Sequence, residues 1–105
     1  MTTHQAHFDL GQIVHHRRFH YRGVIYGVDP CFSLDDAWYE TVASTRPPKD
    51  APWYHVLVDG TDSTTYVAER NLEPCEDHQQ INHPNLGDCF SHFDGDRYYT
   101  RDTRQ

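Results

Sequence analysis

The chain has 105 residues, 36% of them hydrophobic, and a formal net charge of −7. That length holds one domain with one modest core and excludes a cofactor domain beside a substrate domain. The acidic balance is unfavourable for a generic DNA binder, whose affinity comes from cations that displace counterions from phosphates.

Residues 1–7 read as a frayed arm. Gln12–His16 reads as a short strand, His15–His20 as a turn, and Val24–Asp29 as a second strand, rich in β-branched and aromatic residues and stopped by Pro30. Ser33 is placed to cap a short helix across Leu34–Ala43, with Trp38 and Val42 on one face. Arg46–Asp50 contains Pro47 and Pro48 and reads as an exposed loop. Trp53–Asp59 is the clearest strand, and Asp59-Gly60-Thr61-Asp62 is a hairpin signal leading to a partner strand at Thr64–Ala68. Glu69–Leu72 reads as a tight turn, and Leu72–Cys75 as a segment that closes the sheet. In the tail, Leu86, Phe90 and Phe93 recur at i, i+4 and i+7, the spacing of one helical face. Short strands between turns predict an all-β fold, a closed or half-closed β-barrel over residues 8–75, with a long loop carrying a short helix and a C-terminal extension over residues 76–105 packed on the barrel.

The apolar mass lies in seven Tyr, five Phe and two Trp, large rings that suit a small core. No segment approaches the roughly 20 apolar residues of a membrane helix. Met1–His7 lacks the basic start and apolar run of a signal peptide, so the expected compartment is the cytoplasm. Three Cys fit a reducing compartment better than a disulfide framework. Charge is uneven: Arg17, Arg18 and Arg22 face only Asp9 within residues 1–28, a basic strip on an acidic body.

Trp53–Val58 has two largely apolar faces. Tyr54, Val56 and Val58 share one, which lines the core; Trp53, His55 and Leu57 share the other, which lies under the long loop, the tail or another chain. His55 reads as a buried histidine bonded to backbone rather than a ligand.

Four segments stand in order: Tyr21-x-Gly23-Val24, Asp29-Pro30-x-Phe32-Ser33, Ala51-Pro52-Trp53-Tyr54-His55-Val56, and Tyr66-Val67-Ala68-Glu69-x-x-Leu72. Together they resemble the HspQ family of bacterial heat-shock proteins, also called YccV-like or hemimethylated-DNA-binding domains. The resemblance spans Phe8 to Cys75, and the tail is similar to a longer variant of the domain. It implies an SH3-like barrel, binding to hemimethylated DNA, action with the Lon protease as a specificity factor in the stress response, a homo-oligomer such as a trimer, and no enzymatic activity.

Function divides three ways. No nucleophile sits in a catalytic motif and no Gly-rich phosphate loop is present, so catalysis is not expected. Cys75-x-x-His78 and Cys89-x-x-His92 have the spacing of zinc ligands, but nine His and three Cys generate such pairs by chance, and no metal or other cofactor is expected. Protein binding is the first reading, with Trp38, Tyr39, Trp53 and His55 as candidate anchors. DNA binding is the second, through Arg17, Arg18, His20 and Arg22, where cations interleave with rings.

Overall fold

The computed structural model describes residues 6–43 and 46–101. Most of the expected N-terminal arm, and the last four residues of the extension, lie outside the described residues. Five antiparallel strands form one sheet: β1 (Ile13–His16), β2 (Arg22–Asp29), β3 (Trp53–Val58), β4 (Thr64–Ala68) and β5 (Leu72–Pro74), in the order β4-β3-β2-β1-β5. Helix α1 (Asp36–Val42) lies in the long β2–β3 loop, and a 3-10 turn (Glu69–Asn71) joins β4 to β5. The tail adds a helical turn, α2 (Leu86–Cys89), and a two-stranded sheet of β6 (Phe90–Phe93) and β7 (Tyr98–Thr100).

The mostly β expectation holds, but hydrogen-bonded closure does not. β4 and β5 are the two edges, and no ladder joins them. Leu72–Pro74 pairs with β1 instead, setting His16 opposite Leu72.

The chain buries both faces of β3, as its alternation predicts. Tyr54 and Val56 pack with Phe8, Val14, Ile25, Val67 and Leu72 on one side. On the other, Leu57 is covered by the tail residues Ile81, Phe90 and Tyr98. Trp53 is covered by Phe32, Trp38 and Tyr39 from the long loop.

Two glycines permit this closeness. A Cβ on Gly23 would stand 2.4 Å from Val56 and 2.7 Å from the Leu57 carbonyl oxygen, so only glycine lets β2 lie this near β3. Gly11, at φ +86°, donates to the Ile25 carbonyl at 2.7 Å and accepts from Tyr98 N–H at 2.8 Å, fastening β7 to the main sheet.

Two local expectations are corrected. Asp35, not Ser33, caps α1: its carboxylate accepts from Trp38 N–H at 2.8 Å, while the Ser33 hydroxyl donates to Cys31 O. Leu86, Phe90 and Phe93 do not share a helix. The helix stops at Cys89, and a bulge between Phe90 and His92 turns Phe90 and Phe93 to the same side of a strand.

Candidate functional site

A groove of about 550 Å³ runs along the free edge of β4. On one side stands the β1–β2 hairpin, with His16, Arg18, Phe19 and Tyr21; on the other stands the long loop, with Leu34, Trp38, Val42 and Pro47. β4 passes between them. Thr65 turns to the hairpin, where its hydroxyl meets the Tyr21 hydroxyl at 2.7 Å. Tyr66 turns to the loop, where its ring lies 5.7 Å from Trp38. Phe19, Leu34 and Val42, three of the most exposed large apolar residues described, are 65%, 40% and 54% accessible, and all border this groove. Clustered apolar exposure of this kind marks binding surfaces, whereas scattered residues do not.

The hairpin side is built around His16, where the expected strand meets the expected turn. The ring is buried, and Nδ1 accepts from Arg18 N–H at 3.1 Å and Phe19 N–H at 3.0 Å. It stacks on Phe19 and lies 5.0 Å from Tyr21. An accepting Nδ1 requires the neutral ring. Burial favours that state, and His15, His20 and Arg18 reinforce it, so the His16 pKa lies below its ordinary value. His20 adopts φ 61°, and its N–H donates to His16 O, completing the turn.

The loop side rests on an aromatic cluster. Trp53 is 1% exposed and donates its indole N–H to Pro48 O at 3.0 Å. Tyr39 is also buried and donates to Pro47 O at 2.6 Å, with Lys49 4.3 Å from its ring centre. Trp53 and Tyr39, expected as surface anchors, are therefore core residues that hold the wall in place. Trp38 is half-buried and lines the groove.

His55 also lines the groove, but not as a histidine bonded to backbone. Its Nε2 lies 3.2 Å from Asp29 Oδ2, and the same oxygen accepts the Tyr66 hydroxyl at 2.7 Å. Burial, and then this bond to Asp29, push the Tyr66 phenol up to about 12. A Cβ on Gly27 would come within 2.8 Å of the His55 ring, so glycine there makes room for it.

The four cationic candidates separate. Arg17, Arg18 and His20 are exposed on the hairpin, and neither arginine has a carboxylate partner among the described residues. Arg22 is turned away and used internally. It binds Asp59 at 2.9 Å and donates to the carbonyls of Asp77 and Gln79, tying the tail to the sheet.

The remaining signature residues are held by contacts inside the fold. Tyr54 donates to Glu69 at 2.6 Å while accepting from Phe8 N–H, and Glu69 N–H donates to Pro52 O. Ser33 N–H donates to the Tyr66 hydroxyl beside Asp29, with Pro30 next in the chain, and Ala68 packs against Trp53. The Tyr54 phenol is pushed well above its usual range by burial and by Glu69.

The histidines of the two Cys-x-x-His pairs have other contacts. His78 pairs with Asp96 at 2.6 Å, and His92 lies 2.9 Å from Ser91 Oγ and stacks on Tyr99. Among the described residues no group of three or more His, Cys, Asp or Glu is placed to hold a metal ion, and no helix is long and apolar enough to cross a membrane.

The family described as "Hemimethylated DNA-binding protein YccV like" matches residues 6–97. The chain belongs to the YccV-like family. The match takes in β6 and ends just before β7, so the YccV-like unit includes much of the tail along with the main sheet. Curated relatives include F-box only protein 21 of Homo sapiens, 38% identical over 93 residues, and that of Mus musculus, 37% identical over 93 residues. Each alignment covers 87% of this chain but 15% of the relative, so the YccV-like chain spans a small part of those proteins.

Proposed function

We propose that this YccV-like chain is a non-enzymatic binding module that docks a polypeptide in the groove beside β4. The observation that carries this reading is the coincidence of exposed Phe19, Leu34 and Val42 with an open strand edge in one groove. The strand order, with a 3-10 turn before the last strand, is in keeping with a half-open SH3-like barrel. The resemblance to HspQ supports a finer version: a cytoplasmic, homo-oligomeric quality-control factor that modulates a Lon-type protease. Its test is degradation of a Lon substrate with and without this chain. Faster or slower turnover that is lost in Phe19→Ser and Val42→Ser variants supports it, and unchanged turnover removes the protease from the reading.

A second reading, binding to hemimethylated DNA, is favoured by the family description and by Arg17 and Arg18, which are exposed on the hairpin and have no carboxylate partner among the described residues. Two arginines supply few phosphate contacts, and a net charge of −7 opposes a duplex. An anisotropy titration with matched hemimethylated and unmethylated duplexes separates the readings; equal affinity for the two eliminates methyl recognition.

A further inference from the structure

The two edges of the main sheet are unlike. β5 is three residues long and carries Glu73 and Pro74, features that discourage strand addition. β4 is Thr-Thr-Tyr-Val-Ala, with no charge, no proline and no bulge in its pairing with β3. Its outward main chain is open. Ser63 O accepts from Val58 N–H, and Glu69 N–H donates to Pro52 O, so both flanking residues face β3. By strand alternation Thr65 and Val67 also face β3, and Thr64 and Tyr66 turn their N–H and C=O groups outward. Among the described residues no main-chain bond reaches those four groups.

Side chains around this edge limit what fits. Phe19 and Val42 offer apolar contacts on opposite sides of the strand, matching the alternating side chains of an extended segment. The hairpin end carries Arg18, which has no carboxylate partner among the described residues, so the complement there is an acidic side chain. Arg18 itself lines the groove and lies 5.7 Å from the Phe19 ring centre. A second copy of this chain is a poorer occupant, because its own β4 brings no acid within the strand and its net charge of −7 opposes self-association.

We propose that β4 accepts an extended segment of a partner polypeptide as an added strand, with an acidic side chain of that segment seated against Arg18. This rests on the groove reading above and specifies its partner: a segment without proline, alternating apolar and polar residues, with an acid at the hairpin end.

The probe is a displayed library of short random peptides, selected against the full chain, with the enriched peptide then synthesised. The expected consensus is acidic at one end, alternating and free of proline. Thr64→Pro removes one outward N–H at the first residue of an edge strand, where proline is tolerated, and should weaken the peptide about tenfold, roughly 1.4 kcal/mol. Thr64→Val keeps the N–H and should bind as the parent. Arg18→Glu should weaken the acidic peptide and improve its Asp→Lys counterpart. Amide chemical shifts of the labelled chain then locate the contact. Shifts at Phe19 and Val42 with no loss in the Thr64→Pro or Arg18→Glu variants leave the groove standing and overturn strand addition. Shifts away from the groove, or enrichment of no peptide, overturn both readings. Occupation of the groove by a hemimethylated duplex alone, or by a second copy in sedimentation, also overturns this one.

Discussion

Tyr66 and His55 share one oxygen of Asp29, the tyrosine hydroxyl at 2.7 Å and the imidazole Nε2 at 3.2 Å. They are opposite each other in the β3–β4 register, with rings 4.5 Å apart, so the pairing of two strands fixes the hydrogen bonds as well as the stack. The carboxylate acts as a clamp between β2 and β4 across β3. Asp29→Asn removes the charge that favours the protonated phenol. Burial, the larger cause, remains, so the Tyr66 pKa, about 12 in the parent, should fall part of the way toward its ordinary value when followed by ultraviolet titration. Tyr66→Phe should cost on the order of 1 kcal/mol in urea unfolding.

Arg22 and Asp59 form a half-buried pair that also anchors the carbonyls of Asp77 and Gln79. Arg22→Ala leaves Asp59 facing a poorly solvated space and releases the start of the tail. Stability should fall by about 2 kcal/mol. Amide exchange should accelerate in β6 and β7 before it does in β2 and β3. If hairpin arginines contact DNA, Arg17→Gln and Arg18→Gln should each reduce the slope of log affinity against log salt by about 0.9, while Arg22→Gln should leave it unchanged.

His16 makes stability depend on pH in a direction fixed by its bonds. Its folded-state pKa is lowered, so below its ordinary value of 6.5 the unfolded chain binds the proton more readily. The neutral ring's contribution is therefore fully present above that value and is lost as pH falls through the folded-state value. Urea unfolding measured from pH 7.5 down to pH 5 should show a steeper fall for the parent than for His16→Asn, which keeps a turn-capping acceptor that does not titrate.

Gly11 and Gly60 both have positive φ, yet they should respond differently to alanine. A Cβ at Gly60 meets nothing within 4 Å, whereas one at Gly11 would stand 1.8 Å from the Tyr98 carbonyl oxygen. Gly60→Ala should cost about 1 kcal/mol from backbone strain alone. Gly11→Ala should cost about 3 kcal/mol or more, since β7 must move as well. Thermal melts of the two variants compare them directly.

The main strands were readable because alternation and turn chemistry agree. Trp53–Val58 is a short run of aromatic and β-branched residues with turn signals on either side, and strand alternation puts Tyr54 and Val56 together inside. The start of α1 was less legible because Ser33, Asp35 and Asp36 all offer a side-chain acceptor within four positions. Only the bond to Trp38 N–H selects Asp35. In the tail, a bulge shifts Phe90 and Phe93 onto one face, and that shift imitates helical spacing.

The site was harder to read than the fold. Arg22 sits in a basic run, but strand pairing carries it across from Asp59, which only the register reveals. Buried histidines bonded to backbone exist at His16 and His83 rather than His55, and His83 makes the comparison plain. It is buried, with Nε2 2.9 Å from Ser63 O and Nδ1 accepting from Asn85 N–H. Nothing local distinguishes His55 from His83, because the difference is a carboxylate 26 residues away for one and a carbonyl 20 residues away for the other. The groove itself is tertiary: Phe19, Val42 and Tyr66 come from three separate elements that only the folded sheet brings together.

The bond from Tyr98 N–H to Gly11 O brings the last strand beside the first described residues. Ala6, the first described residue, and Thr100, next to the last, line one shallow pocket, so the two ends of the described chain lie side by side. A longer polypeptide can then pass into and out of the domain at nearly one point, without spanning its width. Such an arrangement suits a side branch on a chain rather than a link within it, and pulling on the flanks would load the Phe8–Tyr54 and Tyr98–Gly11 contacts, which hold the two ends.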